Sequence, residues 1–319
     1  MTTRRTFLVL MTTLPVVMRN GDGRAATRGD ETWDTVLRNV EGFRAGAARL
    51  GLTGSWDRPA VPITVDIRPP AGEEAVGAVE REIGEPIPPA LRRFYRDVSA
   101  GLEIEWLLPG RRVVMPEGWS SVVYDLVPPA PFRKPVGEPP NPVEPTINAG
   151  HIRFFLDETP MLLRDMEVWK QNFRDVETME ADDPGVRLHY QRHRQWWDRA
   201  FPLGMDLGGN HIGVDRADEA GRLLWLNHTG SDAPGWFIDH TLPEFLLIQS
   251  HLGWTGFRGI EFDFFRDEAA EPGERERRYL EAHAADGEWA LLPPTTYVLN
   301  DRSEAARQWR RWLGLPEPV

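Results

Sequence analysis

The 319-residue sequence contains no cysteine. This absence excludes disulfide bonds, thiolate nucleophiles and metal centres that cysteine would ligate. Beyond the N-terminal segment, no apolar run approaches the roughly 20 residues that a membrane-spanning helix needs. We therefore expect no integral membrane segment in the mature chain.

Positive charge is also scarce, because 37 Lys and Arg face 49 Asp and Glu, for a net charge of −12. Nucleic acid and anionic membranes both favour basic surfaces, so neither is an expected partner. An acidic surface instead favours solubility or a basic protein partner. The hydrophobic content of 41% and the 13 Trp indicate a folded chain with a sizeable core.

Residues 1–30 form a distinct N-terminal segment. Within it, Thr3–Leu8 resembles the twin-arginine export signature, an apolar run extends to Met18, and Ala25 suits a cleavage site. The alternative is that Met11 or Met18 begins the protein and that this segment is a disordered tail. We accordingly expect a cytoplasmic protein or, as the alternative, export by the twin-arginine route.

Residues 72–106 predict two short helices separated by a proline corner, followed by a strand. Apolar residues recur at helical spacing on both sides of the corner, and Gly84 suits the left-handed cap of the first helix. Three prolines between residues 86 and 89 stop that helix and can begin the next one. Gly101 ends the second helix, and Leu102–Leu108 then alternates as a strand does.

This hairpin resembles the opening motif of the SUKH superfamily, the Smi/Knr-type domain of cell-wall assembly regulators and bacterial toxin-immunity proteins. A later block over residues 201–257 is similar to the family's glycine turn, paired strands and closing helix. The residues that match the family, all with structural roles, are Glu80, Gly84, Pro88, Leu91, Phe94, Gly101, Gly209 and Gly221. The resemblance covers about residues 70–257 and departs from the family in a long insertion.

The resemblance implies an α+β fold, with a mostly antiparallel sheet packed against helices. We expect a SUKH-like domain over residues 31–257, an insertion at about 128–200, and a C-terminal helical extension over 258–319. Within the insertion, residues 128–145 hold eight prolines and predict an exposed loop without regular structure. A pair of helices follows, and the first carries an apolar stripe from Leu162 to Val176.

Two groups of residues have the composition of catalytic or metal sites. His189 and His193 lie four apart on a predicted helix, as metal ligands do, which keeps a metal-dependent hydrolase open as an alternative. Tyr190 stands where a metalloprotease carries its glutamate base, however, and no third ligand is evident.

The second group lies around a glycine-rich turn and brackets it with Asp206, His211 and Asp215. No phosphate-binding loop or nucleophile elbow accompanies it. The residues His228, Ser231, Asp232 and His240 are close in sequence, but triad geometry is set in space. We expect no enzymatic activity, no cofactor and no metal.

The predicted function is therefore non-enzymatic protein binding, performed by a monomer. The resemblance implies an immunity protein that neutralises a toxin partner, and a basic toxin would suit the acidic chain. An exported accessory protein of the cell envelope with the same fold is the alternative. The candidate partner-binding residues are three tryptophans and an acidic run, namely Trp119, Trp225, Trp236, Asp175, Glu177, Glu180, Asp182 and Asp183.

Overall fold

The computed structural model describes residues 28–55, 58, 60–114, 120–135, 143–179, 184–206, 208–228, 235–256, 264–267, 277 and 296–318. Its helices are α1 (Arg28–Leu50), α2 (Gly72–Ile83), α3 (Pro89–Arg93), α4 (Thr159–Met179), α5 (Pro184–Arg199), α6 (Leu242–His251) and α7 (Glu304–Leu313). A π-helical turn, Phe94–Val98, continues α3, and a 3-10 turn, Leu156–Glu158, precedes α4.

The first seven strands are β1 (Thr64–Arg68), β2 (Gly101–Leu107), β3 (Gly110–Val114), β4 (Ser120–Tyr124), β5 (Arg133–Pro135), β6 (Val143–Pro145) and β7 (Ala149–Phe155). The other five are β8 (Ala200–Met205), β9 (His211–Asp215), β10 (Arg222–Leu226), β11 (Gly235–Thr241) and β12 (Thr296–Tyr297). Among the described residues, all the strand pairs are antiparallel except β11 with β12. The α+β fold class is thereby confirmed.

The larger sheet has the strand order β12-β11-β10-β9-β8. Its central strand β10 reads as a continuous apolar run, because both of its faces are covered. Leu223 and Trp225 belong to the main core on one face, whereas Leu224 and Leu226 pack with α4 and α5 on the other. The helical pair predicted in the insertion therefore covers this face of β10.

A three-stranded sheet has the order β1-β2-β7, and the helical hairpin lies between β1 and β2 in the sequence. The predicted hairpin is confirmed, since α2 ends at Gly84 with a φ of 76° and Pro89 begins α3. The inward residues of β2, including Ile104 and Trp106, are fully buried. They join the main core with the apolar faces of α1 and α6.

Helix α7 lies in the region expected to be a C-terminal extension. Ser303 caps it by accepting a hydrogen bond from the Ala306 backbone N–H at 3.1 Å. Its buried residues Trp309 and Leu313 are part of the main core, and the Trp309 indole donates to the Leu252 carbonyl at 2.8 Å. The helix predicted over residues 274–285 lies outside the described residues except for Arg277.

The prediction that residues 128–145 hold no regular structure is wrong. Short strands β5 and β6 pair within this segment, with Arg133 opposite Pro145. Phe132 is fully buried and packs on Trp309 with ring centroids 4.8 Å apart. Prolines permit such pairing at the edge of a ladder, and one buried aromatic ring anchors the segment to the core.

In the part of the chain that the structure describes, no helix is both long and apolar enough to cross a bilayer.

Candidate functional site

Helix α4 has two opposite faces of different character. The predicted apolar stripe is confirmed, because Leu162, Met166 and Phe173 are buried, and Met166 and Phe173 pack with residues of the large sheet and α5. The opposite face points to solvent along the whole helix. The fold thus anchors α4 firmly and leaves one long face free for contacts.

The solvent face of α4 carries a stripe of residues at alternating spacings of four and three. We call it the α4 stripe, and its members are Met161, Asp165, Val168, Asn172, Asp175 and Met179. Residues at this spacing lie one above another on a helix. The three apolar members are exposed by 54% at Met161, 56% at Val168 and 78% at Met179. Large exposed apolar side chains that line up in this way are typical of interaction surfaces.

Asp165 provides the first negative charge of the stripe. Its Oδ2 atom lies 2.9 Å from Nε2 of His211, although the two groups lack the alignment of a hydrogen bond. Burial lowers the pKa of His211 below its ordinary value, and the Asp165 charge offsets this effect only in part. The imidazole is therefore neutral at pH 7 and supplies no positive charge to the half-exposed Asp165 carboxylate.

Asp175 provides the second charge and is exposed. Its Oδ1 accepts a hydrogen bond of 2.6 Å from the neutral side-chain amide of Gln171. Among the described residues, no Lys or Arg lies within ion-pair distance of Asp165 or Asp175. Both charges of the stripe are thus available to a cationic partner.

The neighbouring carboxylates of α4 differ from those of the stripe. Glu177 accepts hydrogen bonds from Arg194 at 2.9 Å and Gln191 at 2.8 Å. Glu167 pairs with Lys170 at 2.8 Å. These internal ion pairs use the charges of the flanking acids, so the uncompensated charge of the helix is concentrated on the stripe.

The structure places the predicted partner-binding residues in different environments. Asp175 belongs to the α4 stripe, whereas Glu177 is engaged with α5. Trp119, Glu180, Asp182 and Asp183 lie outside the described residues. The acidic run is therefore represented on the described surface by Asp175 and Glu177.

Trp225 and Trp236 face each other across β10 and β11 on the side of the large sheet away from α4. Their rings are stacked, with centroids 3.6 Å apart and planes 8° from parallel. Trp225 is only 5% exposed, and Trp236 is half-buried against Tyr297. Little of Trp225 is left for a partner, so its role as a binding anchor stays a prediction.

The residues that carry the SUKH resemblance have structural roles in the hairpin and in the turns of the large sheet. Glu80 accepts hydrogen bonds from the Ile87 backbone N–H at 3.1 Å and from Arg92 Nε at 2.9 Å, and so ties α2 to α3. Leu91 and Phe94 are buried in the core, and Pro88 precedes α3. Gly101, Gly209 and Gly221 all have positive φ values, of 151°, 87° and 70°.

The two histidines proposed as metal ligands do face each other, with Nε2 atoms 3.2 Å apart. Within the described ranges, however, no group of three or more metal-binding side chains is assembled. A metal site at His189 and His193 therefore stays a prediction, and the described residues add no third ligand to it.

The carboxylates around the glycine turn act within the fold. Asp206 accepts hydrogen bonds from the backbone N–H groups of Gly208 and Asn210, both at 2.8 Å, which closes the turn between β8 and β9. Asp215 has a fully buried side chain and holds Arg199 through two bonds of 2.8 and 2.9 Å. These contacts give both acids a role in stabilising the fold.

His228 binds Asn210, and its ring nitrogen lies 2.9 Å from the amide oxygen. His240 accepts a hydrogen bond of 3.0 Å from the Leu299 backbone N–H. The other two members of the sequence-adjacent set, Ser231 and Asp232, lie outside the described residues.

The α4 stripe was missed in the sequence, although its signal was there. Only the apolar stripe from Leu162 to Val176 was predicted from the sequence. A second set of apolar residues, Met161, Val168 and Met179, lies on the other face of the same helix. When a helix carries two apolar stripes, the second stripe is either buried in the same protein or exposed to bind a partner. The solvent exposure of its side chains distinguishes these two cases.

Searches with family models, curated proteins and solved structures returned no match to this chain, so the SUKH resemblance stays a prediction.

Proposed function

We propose that this chain is a non-enzymatic protein-binding domain that docks a basic protein partner on the α4 stripe. The observation that carries the proposal is the pairing of exposed apolar side chains with two uncompensated carboxylates along one rigid helix. Apolar burial supplies affinity in such an interface, and complementary charge supplies orientation and association rate.

The charges of the stripe disfavour a second copy of the same helix as its partner. In an antiparallel pair centred on the stripe, Met161 meets Met179, and Asp165 meets Asp175 of the second copy. Like charges placed opposite each other destabilise a helix pair. A partner surface with Lys or Arg between apolar residues complements both the apolar side chains and the carboxylates of the α4 stripe. The repulsion between two copies of the stripe is consistent with the expectation of a monomer.

The more specific form of the proposal follows from the SUKH resemblance and the net charge of −12. Under it, the partner is a basic toxin, and docking on α4 neutralises it. An acidic inhibitor associates rapidly with a basic nuclease, and high salt slows that association.

Site-specific cross-linking in the native cell tests the proposal. A photoreactive phenylalanine analogue at Val168 should capture a partner whose isoelectric point is basic, identified by mass spectrometry. The same analogue at Ala45, an exposed position on α1, should not capture it.

Charge reversal then tests the chemistry of the capture. The double variant Asp165→Lys with Asp175→Lys should lower the cross-linking yield at Val168 at least tenfold. The matched control, Glu74→Lys with Glu219→Lys, changes the net charge equally at exposed positions outside α4 and should leave the yield unchanged. Equal loss in both variants, or no loss in either, would remove the α4 stripe as the binding surface.

A further inference from the structure

A pocket on another side of the molecule lies between α1, the π-helical turn and the start of α6. Its volume is about 350 Å³, which is within the range of small-molecule sites. The apolar lining includes Trp33, Val36, Ala90, Phe94, Val98 and Pro243, and Ala220 lies at the exposed rim.

The walls of this pocket are held in place by the fold. The Trp33 and Phe94 rings pack edge to face with centroids 5.5 Å apart. Phe94 begins the π-helical turn, a rare geometry that recurs at functional sites. Gly221 has a φ of 70°, and an added Cβ would lie 2.5 Å from Ala90, so the β9–β10 turn closes tightly on α3. The pocket is thus preformed.

Two charged residues, Arg93 and Asp97, line the pocket and differ in their partners. Asp97 is held by Arg96 through a bond of 2.8 Å to Nε and one of 2.5 Å to Nη2, and these contacts lower its pKa. Arg93 is exposed, and the described part of the chain offers it no carboxylate within ion-pair distance. The available charge at the pocket is therefore positive.

We propose that this pocket binds a small molecule with an apolar body and a single carboxylate. The apolar body packs against the pocket wall that the Trp33–Phe94 ring pair forms, and the Arg93 guanidinium pairs with the carboxylate. Arginine suits this role because its planar fork binds a carboxylate through two parallel hydrogen bonds. The site is separate from the α4 stripe and does not depend on it.

Calorimetric titration of the full chain with a matched pair of probes tests the proposal. The probes are 3-phenylpropanoate and 3-phenylpropanamide, which share one apolar body and differ in charge. The carboxylate should bind at least tenfold more tightly than the amide. No saturable binding of the carboxylate, or equal binding of both probes, would overturn the proposal.

Two variants and one control locate the binding. Arg93→Gln should reduce the affinity for the carboxylate to that for the amide, and Ala220→Phe, at the exposed rim, should weaken both. Arg111→Gln removes an exposed arginine on β3 and should change neither affinity. Retention of full carboxylate affinity in Arg93→Gln would also overturn the proposal. Cross-linking at Val168 should be the same in all three variants, so failure here and failure of the α4 proposal are distinguishable.

Discussion

Replacing Trp225 with alanine should strongly destabilise the fold and leave partner capture on α4 intact. Trp225 is 5% exposed and stacks on Trp236 in the centre of the large sheet. Truncation of a buried Trp to Ala typically costs about 3–5 kcal/mol, which includes about 0.5–1.5 kcal/mol for a favourable aromatic pair. We expect a loss of about 4 kcal/mol here, a large part of the about 5–15 kcal/mol that stabilises a typical protein.

Urea denaturation followed by circular dichroism measures this loss. Met179→Ala is the matched control, because its side chain is 78% exposed, and it should change the unfolding free energy by less than about 0.5 kcal/mol. Partner capture should respond in the opposite way, with Met179→Ala weakening it and Trp225→Ala leaving it unchanged in folded protein. If Trp225→Ala cost less than about 1 kcal/mol and abolished capture, Trp225 would be a binding anchor and not a core residue.

Three further predictions concern the fold. Gly150→Ala should prevent stable folding, because its Cβ would lie 2.1 Å from the Trp254 carbonyl oxygen. Thermal denaturation measures the effect, and an unchanged thermal midpoint would contradict the packing at β7. Asp215→Ala should cost about 3–5 kcal/mol by urea denaturation, because Arg199 then loses its buried partner. Glu304→Ala removes an exposed ion pair with Arg307 and should have a much smaller effect. Burial lowers the pKa of His240 below its ordinary value of 6.5, so the unfolded chain binds a proton at a higher pH than the folded chain does. The contribution of neutral His240 to the unfolding free energy should therefore be fully present above pH 6.5 and decrease as the pH falls from 6.5 towards 5. In His240→Gln the decrease in the urea midpoint from pH 7 to pH 5 should be smaller than in the wild type. An equal decrease in both would show that other groups govern the pH dependence.

The sequence by itself determined the local elements and the fold class. Helical spacing, the Gly84 cap and the proline corner predict the hairpin, because these features act over a few residues and do not depend on distant contacts. Strands β8 to β11 lie within the block that was predicted to hold paired strands, whereas β12 was not predicted. The residue types of β10 indicate burial on both faces. The absence of cysteine also settled which chemistries are excluded.

Only the tertiary structure decided which of these residues are exposed. The buried and exposed stripes of α4 look alike in sequence, and packing on the large sheet distinguishes them. Asp165 and Glu177 are both acids on one helix, yet Glu177 meets Arg194 and Asp165 meets a neutral His211, because α5 and β9 approach α4 at different points. Whether a side chain is exposed, and whether its charge is compensated, depends on which residues surround it in three dimensions. The candidate surface could therefore be identified only in the folded chain.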